Sequence, residues 1–301
     1  MRISTNTIFD LGIAGIQQQS SAQVKTQQQL ASGRRILTPA DDPVAAARVL
    51  EVSQSKAINQ QYDVNTNSAA SALGLEDGTL TSIENLIQSV RDVAITAGGP
   101  SMDGAALKNL AVGLTASYQQ LLGLANTKDG NGQYMFSGYK GATQPFSETS
   151  PGNVAYNGDQ GQRLMQISPS RQIAVSDAGS DVFYQNKNGT NQSLFTTLNK
   201  LISDLNAGVT SNLQSSISDL DNGLNQVLSV HVSVGQRMNE NDAVKSSGQS
   251  TALQYDQTLS GLQDLDYAQA TIDLNKQSLG LQAAQQSFAK IQGLSLFNYI
   301  N

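Results

Sequence analysis

The segment from about Gln257 to Gln292 carries two separate series of apolar residues, and this feature constrains the fold more than any other. In each series the apolar residues follow a seven-residue spacing. One series is Leu265, Ile272 and Leu279, and the other is Tyr267, Leu274, Leu281 and Phe288. At about 100° per residue, the two series are offset by roughly 200° and lie on opposite sides of a helix. A helix that is apolar on two sides needs two partners.

The N-terminal stretch from Thr5 to about Ser32 is the expected partner within the chain. It lacks proline, and its apolar positions, which include Ile8, Leu11 and Leu30, recur at near-helical spacing among Gln and Ser. This pattern predicts a weakly amphipathic helix. The second partner is expected to be another copy of the chain, so we predict that Ile8, Leu11 and the two C-terminal series form subunit contacts. Before assembly, the unpaired apolar face should leave the termini frayed.

The residues that follow the first helix predict a chain break and a restart. They read SGRRILTPADDPVAAA, from Ser32 to Ala47. Gly33 can close the first helix, Asp42 can cap the next and Pro43 can occupy its first turn. The adjacent Asp41 and Asp42 could also act as an acid and base or bind a divalent cation. Their place just before Pro43 favours capping, because carboxylates are stabilised at helix N-termini.

Helical patterns continue on both sides of a central region that has a different character. The residues from Val44 to about Gly74 permit a helix, a clear apolar stripe runs from Leu80 to Ala97, and another runs from Leu107 to Ala125. After about residue 190 helices return, and the series from Leu213 to Met238 alternates steps of four and three, as in a coiled-coil seam.

Between Asp129 and about Thr190, turn signals such as DGNG and SPGN lie only a few residues apart. Short runs between them, including Gln133 to Phe136 and Arg163 to Ile167, are predicted strands of a small β domain. Most of the aromatic residues fall in this region.

These patterns predict a mainly α fold, in which N- and C-terminal segments form an elongated coiled-coil helical rod with a small inserted β domain. The predicted division has five segments. Residues 1–40 and 257–301 form the two halves of an inner terminal-helix domain, residues 41–128 and 191–256 form the two halves of a helical rod domain, and residues 129–190 form the β insertion.

Composition excludes several classes of function. The net charge is -6, and the 18 Lys and Arg residues are scattered, so the electrostatic signature of nucleic-acid binding is missing. The absence of cysteine removes disulfides and thiolate metal sites. No segment approaches the roughly 20 apolar residues of a membrane span. The first residues lack the basic and apolar regions of a cleaved signal, so export would need another route.

No pattern of catalytic or cofactor-binding residues is evident, and we predict no cofactor, metal or enzyme activity. His231 is the single histidine and sits on the predicted seam, which favours a half-buried structural role over that of a ligand or base. The glycines from Gly130 to Gly141 lack the strand, helix and Lys-Ser/Thr context of a phosphate cradle.

The terminal helices together with two motifs resemble the flagellin superfamily. The motifs are the SGRRILTPADDP turn and the C-terminal DLDYAQATIDLNKQSLGLQAAQQSFAKIQGLSLFNYI. Within this superfamily, three features are more similar to the proteins that join the hook to the filament than to the filament subunit. They are Pro43, the segment GNGQYMFSGYKGATQPF from Gly130 to Phe146, and VSVGQRMNE from Val232 to Glu240. The resemblance covers nearly the whole chain, and only about Ser147 to Gly189 is loosely matched.

The resemblance implies a structural role in the bacterial flagellum. It implies export without signal cleavage through the flagellar type III apparatus, an export chaperone, and an extracellular place at the hook-filament junction. The implied partners are identical subunits in a ring, the first hook-associated protein and flagellin. Two alternatives are a filament subunit and, from another class, a type III secreted effector or peptidoglycan hydrolase with coiled-coil arms. The last would need a cleft with perturbed carboxylates.

Overall fold

The structure, a computed structural model, describes residues 5–150, 152–187 and 190–300. Seven helices and six short strands lie in these ranges. The helices are α1 (Thr5–Ser32), α2 (Pro43–Ala97), α3 (Gly104–Ala125), α4 (Gly179–Phe183), α5 (Leu194–Asn206), α6 (Leu213–Gln263) and α7 (Tyr267–Ile300). The strands are β1 (Phe146–Ser150), β2 (Asn153–Tyr156), β3 (Leu164–Ser168), β4 (Arg171–Ala174), β5 (Tyr184–Lys187) and β6 (Thr190–Ser193). The prediction of a mainly α chain with a small β insertion is confirmed.

The contacts divide the chain into two compact units. The terminal unit contains residues 1–58 and 251–301, and the central unit contains residues 59–250. Helices α2 and α6 contribute residues to both units. The predicted division into five segments is not decided by this partition and stays a prediction.

Helices α2 and α6 supply most of the apolar seam of the central unit. The seam of α2 is fully buried at Leu73, Leu80, Ile83, Ile87, Val90 and Ala94. On α6, Leu220, Val227 and Val234 are fully buried at steps of seven. Large apolar residues at the alternating three- and four-residue steps of a heptad explain why these helices bury one face continuously.

The β insertion consists of three antiparallel hairpins, β1–β2, β3–β4 and β5–β6, each forming its own two-stranded sheet. A two-stranded sheet has too little apolar surface to be stable alone. Here Phe146 packs against Phe183 and Phe195, with ring centroids 4.9 and 5.2 Å apart. Because Phe195 belongs to α5, this aromatic cluster fixes the β insertion to the helical part of the central unit.

Two local predictions are wrong, one in the β insertion and one at the start of the C-terminal helix. The run from Gln133 to Phe136 forms turns and one isolated bridge and not a strand, because Phe136 is fully buried in the aromatic cluster. By contrast, α2 is continuous through Gly74, in agreement with the helical patterns predicted on both sides of it. Glycine costs only about 1 kcal/mol in a helix, which the buried seam around it offsets.

The C-terminal helix begins at Tyr267 and not near Gln257, since residues up to Gln263 belong to α6. Asp266 causes the new start, because its Oδ1 accepts the backbone N–H groups of Ala268 and Gln269, both at 3.0 Å. Leu265 therefore lies in the connection before α7 and does not share a helix with Ile272 and Leu279. The prediction of one helical series through Leu265 is wrong.

Candidate subunit-interface surface

Helices α1 and α7 pack side by side in the terminal unit. Phe9, near the start of α1, and Phe288, in the C-terminal half of α7, pack edge to face with ring centroids 4.8 Å apart. A methyl group at Gly12 would lie 2.8 Å from the Phe288 ring, so the absence of a side chain there permits the close approach. Further along the pair, Gln19 donates a side-chain hydrogen bond to the backbone oxygen of Gln277 at 3.2 Å.

One of the two apolar series of α7 lies on the side that faces α1. Half-buried and buried positions that recur on α7 at steps of four and three include Ala270, Leu274, Gln277, Leu281, Ala284 and Phe288. A matching set on α1 consists of Phe9, Gly12, Ile16, Gln19, Gln23, Thr26 and Leu30. Both sets follow the heptad spacing of a coiled coil, but several of their members are small or polar. The contact between α1 and α7 therefore buries few large apolar side chains.

The other apolar series remains exposed on the described chain. Ile272 is 49% exposed and Leu279 is 67% exposed. On α1, Leu11 is also 67% exposed, while Ile8 lies outside the residues whose side chains the structure describes. Tyr267 belongs to the same series as Leu274, Leu281 and Phe288 but is 57% exposed at the start of α7. Large apolar side chains at this level of exposure leave a surface that gains free energy when a partner covers it.

The connection between α1 and α2 pairs with the connection between α6 and α7. The backbone N–H of Arg35 donates to Gln263 at 2.7 Å, and that of Leu265 donates to Gly33 at 3.0 Å. Gly33 has φ +69°, and a methyl group there would lie 2.7 Å from the Tyr267 hydroxyl oxygen. Both the backbone conformation and the space at this position require glycine.

Asp41 and Asp42 divide two tasks within the first connection. Asp41 accepts backbone hydrogen bonds from Leu37 and Thr38 and pairs with Lys25 at 2.6 Å. These contacts, the Lys25 hydrogen bond first, lower the pKa of Asp41 to about 2. Asp42 caps α2 by accepting the N–H of Ala45 at 3.0 Å, and this bond lowers the Asp42 pKa.

Pro43 is the first residue of α2, where its missing N–H has no intrahelical partner to lose. Asp42 and Pro43 thus begin α2 together. The two aspartates serve to order the backbone of the connection, and each pairs with a cation, Asp41 with Lys25 and Asp42 with Arg35 at 3.3 Å.

His231 of α6 lies between two carboxylates of α2 in the central unit. Its Nδ1 is 2.6 Å from Glu84 Oε1, and its Nε2 is 2.9 Å from Asp77 Oδ1. Burial alone would lower the pKa of His231, but the two carboxylates outweigh burial and raise it. The ring is half-buried and bonded at both nitrogens, which is a structural arrangement.

The described residues include no cluster of three or more His, Cys, Asp or Glu side chains placed to hold a metal ion, and no helix long and apolar enough to cross a bilayer. A depression of about 510 Å³ is lined by Tyr118, Glu148 and Asn199 among others. Glu148 already accepts hydrogen bonds from Tyr118 and Gly152, so its carboxylate is held within the protein.

The comparisons with known proteins agree with this helical arrangement. The family model described as the bacterial flagellin N-terminal helical region matches residues 3–141. Flagellar hook-associated protein 3 of Escherichia coli (strain K12) is 30% identical over 316 aligned positions, which cover 99% of both chains. The chain belongs to the flagellar hook-associated protein 3 family. It is a structural component of the bacterial flagellum, as the resemblance implied.

Solved structures of the same family share the fold. Hook-associated protein 3 from Legionella pneumophila has a TM-score of 0.66 at 23% identity and covers 71% of this chain and 98% of its own. FlgL from Xanthomonas campestris has a TM-score of 0.63 at 19% identity and covers 69% of this chain and 99% of its own. Flagellin of Bacillus subtilis (strain 168) is 22% identical over 301 aligned positions, which cover 96% of both chains.

The connection between α6 and α7, which pairs with the connection between α1 and α2, was not predicted from the sequence. The residues Asp266 and Gln269 carry the signal for it, because an N-cap Asp followed three positions later by Gln is a capping-box pattern. The longer heptad series hid this signal. The backbone pairing of the two connections has no signal in a single sequence.

Proposed function

We propose that the protein is the adaptor that joins the flagellar hook to the filament, assembled as a ring of identical subunits. Its neighbours are the first hook-associated protein on one side and flagellin on the other. The protein reaches the outside of the cell through the flagellar type III export apparatus, escorted by a chaperone and without signal cleavage, and it acts without catalysis.

The exposed apolar series of α7 is the observation that carries this proposal. Ile272 and Leu279 lie opposite the side that packs on α1, and Leu11 adds exposed apolar surface on α1 itself. A helix pair with a thin seam and an uncovered apolar side is well suited to be completed by a second copy of the same pair. The names of the relatives support this place of assembly, since they are hook-associated proteins and one solved relative, from Legionella pneumophila, is a flagellar junction protein.

The decisive experiment compares three double variants in a strain that lacks the gene. Ile272→Asp with Leu279→Asp should keep α1 and α7 paired but block assembly, because the added charges would be buried between subunits. We expect cells with hooks, without filaments, and with flagellin released into the medium. Gln282→Asp with Gln285→Asp adds the same charge at exposed positions displaced around the helix and should preserve motility.

The third variant, Leu274→Asp with Leu281→Asp, separates the two sides of α7. It should also prevent assembly, but with a loss of helix content in the isolated subunit that the Ile272 and Leu279 variant does not show. Circular dichroism of each purified subunit measures this difference. Normal motility of the Ile272 and Leu279 variant would contradict the proposal.

The filament subunit is the remaining structural alternative, and it is favoured by the similarity to Bacillus subtilis flagellin. Purified subunits distinguish the two. A junction adaptor should remain short or monomeric in solution, whereas growth of long filaments from the purified protein alone would favour a filament subunit.

A further inference from the structure

Glu76 is a carboxylic acid in the interior of the central unit, where α2 meets the end of the β3–β4 hairpin. Its relative exposure is 0%. Its Oε1 accepts the backbone N–H of Asp177 at 3.0 Å, while its Oε2 has no hydrogen-bond partner among the residues that the structure describes. An ionised carboxylate in this position would hold a buried charge with one oxygen unpaired, which is far more costly than a neutral carboxyl group.

Two carboxyl groups share a single guanidinium at this site. Arg237 of α6 forms an ion pair with Asp177 and donates a second hydrogen bond to the backbone oxygen of Ala174 at 3.0 Å. The side chain of Gln162 donates to the other Asp177 oxygen at 2.7 Å. Arg237 is therefore engaged with Asp177, and no cation within the described ranges forms an ion pair with Glu76.

The groups that face Glu76 come from each element packed around it. The segment after β4 contributes Asp177, and α6 contributes Arg237. On α2 itself, the adjacent Asp77 pairs with His231. With both Glu76 and Asp177 ionised, the buried cluster would carry a net negative charge beside an apolar seam.

We propose that Glu76 keeps its proton at neutral pH and acts as a proton-dependent latch that holds the β3–β4 hairpin on helices α2 and α6. Ionisation would place a second carboxylate charge against Asp177 and loosen the contact. Burial, followed by the Asp177 charge, raises the pKa of Glu76 from 4.5 to about 8, and Arg237 opposes this shift only in part.

Two other contacts confine the effect of the latch to one end of the hairpin. Arg171 pairs with Glu240 of α6, and Asn65 of α2 donates to the backbone oxygen of Gln166 at 2.7 Å. The hairpin is thus held at its turn by surface contacts and at its base by the buried cluster. Arg237 and Glu240 both belong to the segment Val232–Glu240 that the sequence singled out, and the structure assigns this segment to docking the hairpin.

The direction of the pH dependence follows from the two protonation states. The pKa of Glu76 is higher in the docked state, so docking takes up a proton. Its contribution to stability is fully present below pH 4.5 and is lost as the pH rises through about 8. Between these limits, the undocked fraction should rise by up to about tenfold per pH unit.

The test compares the full chain with its Glu76→Gln variant, in which an amide of the same shape replaces the neutral acid. Urea unfolding of the central unit is followed by circular dichroism from about pH 5 to about pH 8. The unfolding constant of the unmodified chain, divided by that of the variant, should rise by up to about tenfold per pH unit. Glu240→Gln is the matched control, because the Arg171 ion pair lowers its pKa and it should not produce this trend.

Infrared spectroscopy supplies a second, independent measurement. The unmodified chain should show the carbonyl band of a protonated carboxylic acid at pH 7, and this band should disappear in the Glu76→Gln variant or on titration above about pH 8. A missing band at pH 7, or parallel pH dependences of the chain and the Glu76→Gln variant, would overturn the proposal. If that variant does not fold, the titration of the unmodified chain decides the question.

Discussion

The two units of the chain bury apolar surface to very different extents. In the central unit, α2, α3, α5 and α6 bury long runs of Leu, Ile, Val and aromatic side chains. In the terminal unit, the described side chains of α1 and α7 include a single buried apolar residue, Ala270. The same heptad spacing serves both units, so spacing alone does not make a core. The size of the side chains at the seam decides whether a helix pair is stable by itself.

From this difference we expect the central unit to be stable by itself and the terminal unit to depend on assembly. An α1–α7 pair with polar and small seam residues gains little from pairing alone and keeps apolar residues exposed. We expect the central unit to dominate the cooperative unfolding of the isolated subunit. The terminal unit should gain most of its stability from neighbouring subunits.

The largest expected effect comes from truncating one aromatic residue in each unit. Phe146→Ala removes a fully buried ring from the aromatic cluster and should destabilise the central unit by about 3–5 kcal/mol. Phe288→Ala removes a half-buried ring from the α1–α7 seam and should leave the central transition almost unchanged. Urea unfolding followed by circular dichroism measures both. Equal losses of unfolding free energy in the two variants would contradict the difference in buried apolar surface between the two units.

A glycine substitution with a matched control should give the next largest effect. Gly33→Ala forces a residue with a side chain to φ +69° and brings its methyl group near the Tyr267 hydroxyl. The left-handed conformation alone costs about 1–2 kcal/mol, and the contact adds to it. Gly132→Ala has a similar φ of +79° with open space around it.

Amide hydrogen exchange distinguishes these two variants. Gly33→Ala should reduce protection in α1 and α7, whereas Gly132→Ala should affect only its own turn. Unchanged protection in α1 and α7 would show that the paired connections do not hold the terminal unit together.

Removing one helix cap from each unit sharpens the comparison further. Ser193 caps α5 by accepting the N–H of Thr196 at 3.1 Å. Ser193→Ala should lower the free energy of unfolding of the central unit by about 1 kcal/mol. Asp266→Ala removes the cap of α7 and should lower helix content without shifting that transition. Helix content and the unfolding midpoint are both read by circular dichroism. A shift of the midpoint by Asp266→Ala would mean that the two units unfold together.

The smallest effect concerns the pH dependence contributed by His231. Asp77 and Glu84 raise its pKa above 6.5 in the folded chain. Its contribution is therefore fully present below pH 6.5 and is lost as the pH rises through the higher folded value. The stability of the chain relative to His231→Gln should fall over this window. A nuclear magnetic resonance titration of the ring that gives a pKa below 6.5 would contradict the assignment.

The sequence predicted α1 and α3 closely, because proline, glycine and capping residues mark their ends. It also predicted the start of α2 at Asp42 and Pro43, for the same reason. It failed at Gln133–Phe136, where a tertiary aromatic cluster overrides local strand propensity, and at Leu265, where the N-cap of α7 interrupts a heptad series. The exposed and α1-facing sides of α7 follow from the offset of the two series, but the sequence did not indicate which side faces α1.

The sequence by itself determined the helical periodicity, the two-sided character of α7 and the family, because these depend on residue types at fixed spacing. Only the tertiary structure decided that the two connections pair, that Arg237 is engaged with Asp177, and that Glu76 lies buried without an ion pair to any described residue. Such contacts include one that joins residues 227 positions apart in the sequence. Their energies depend on distance and burial, which cannot be read from spacing along the chain.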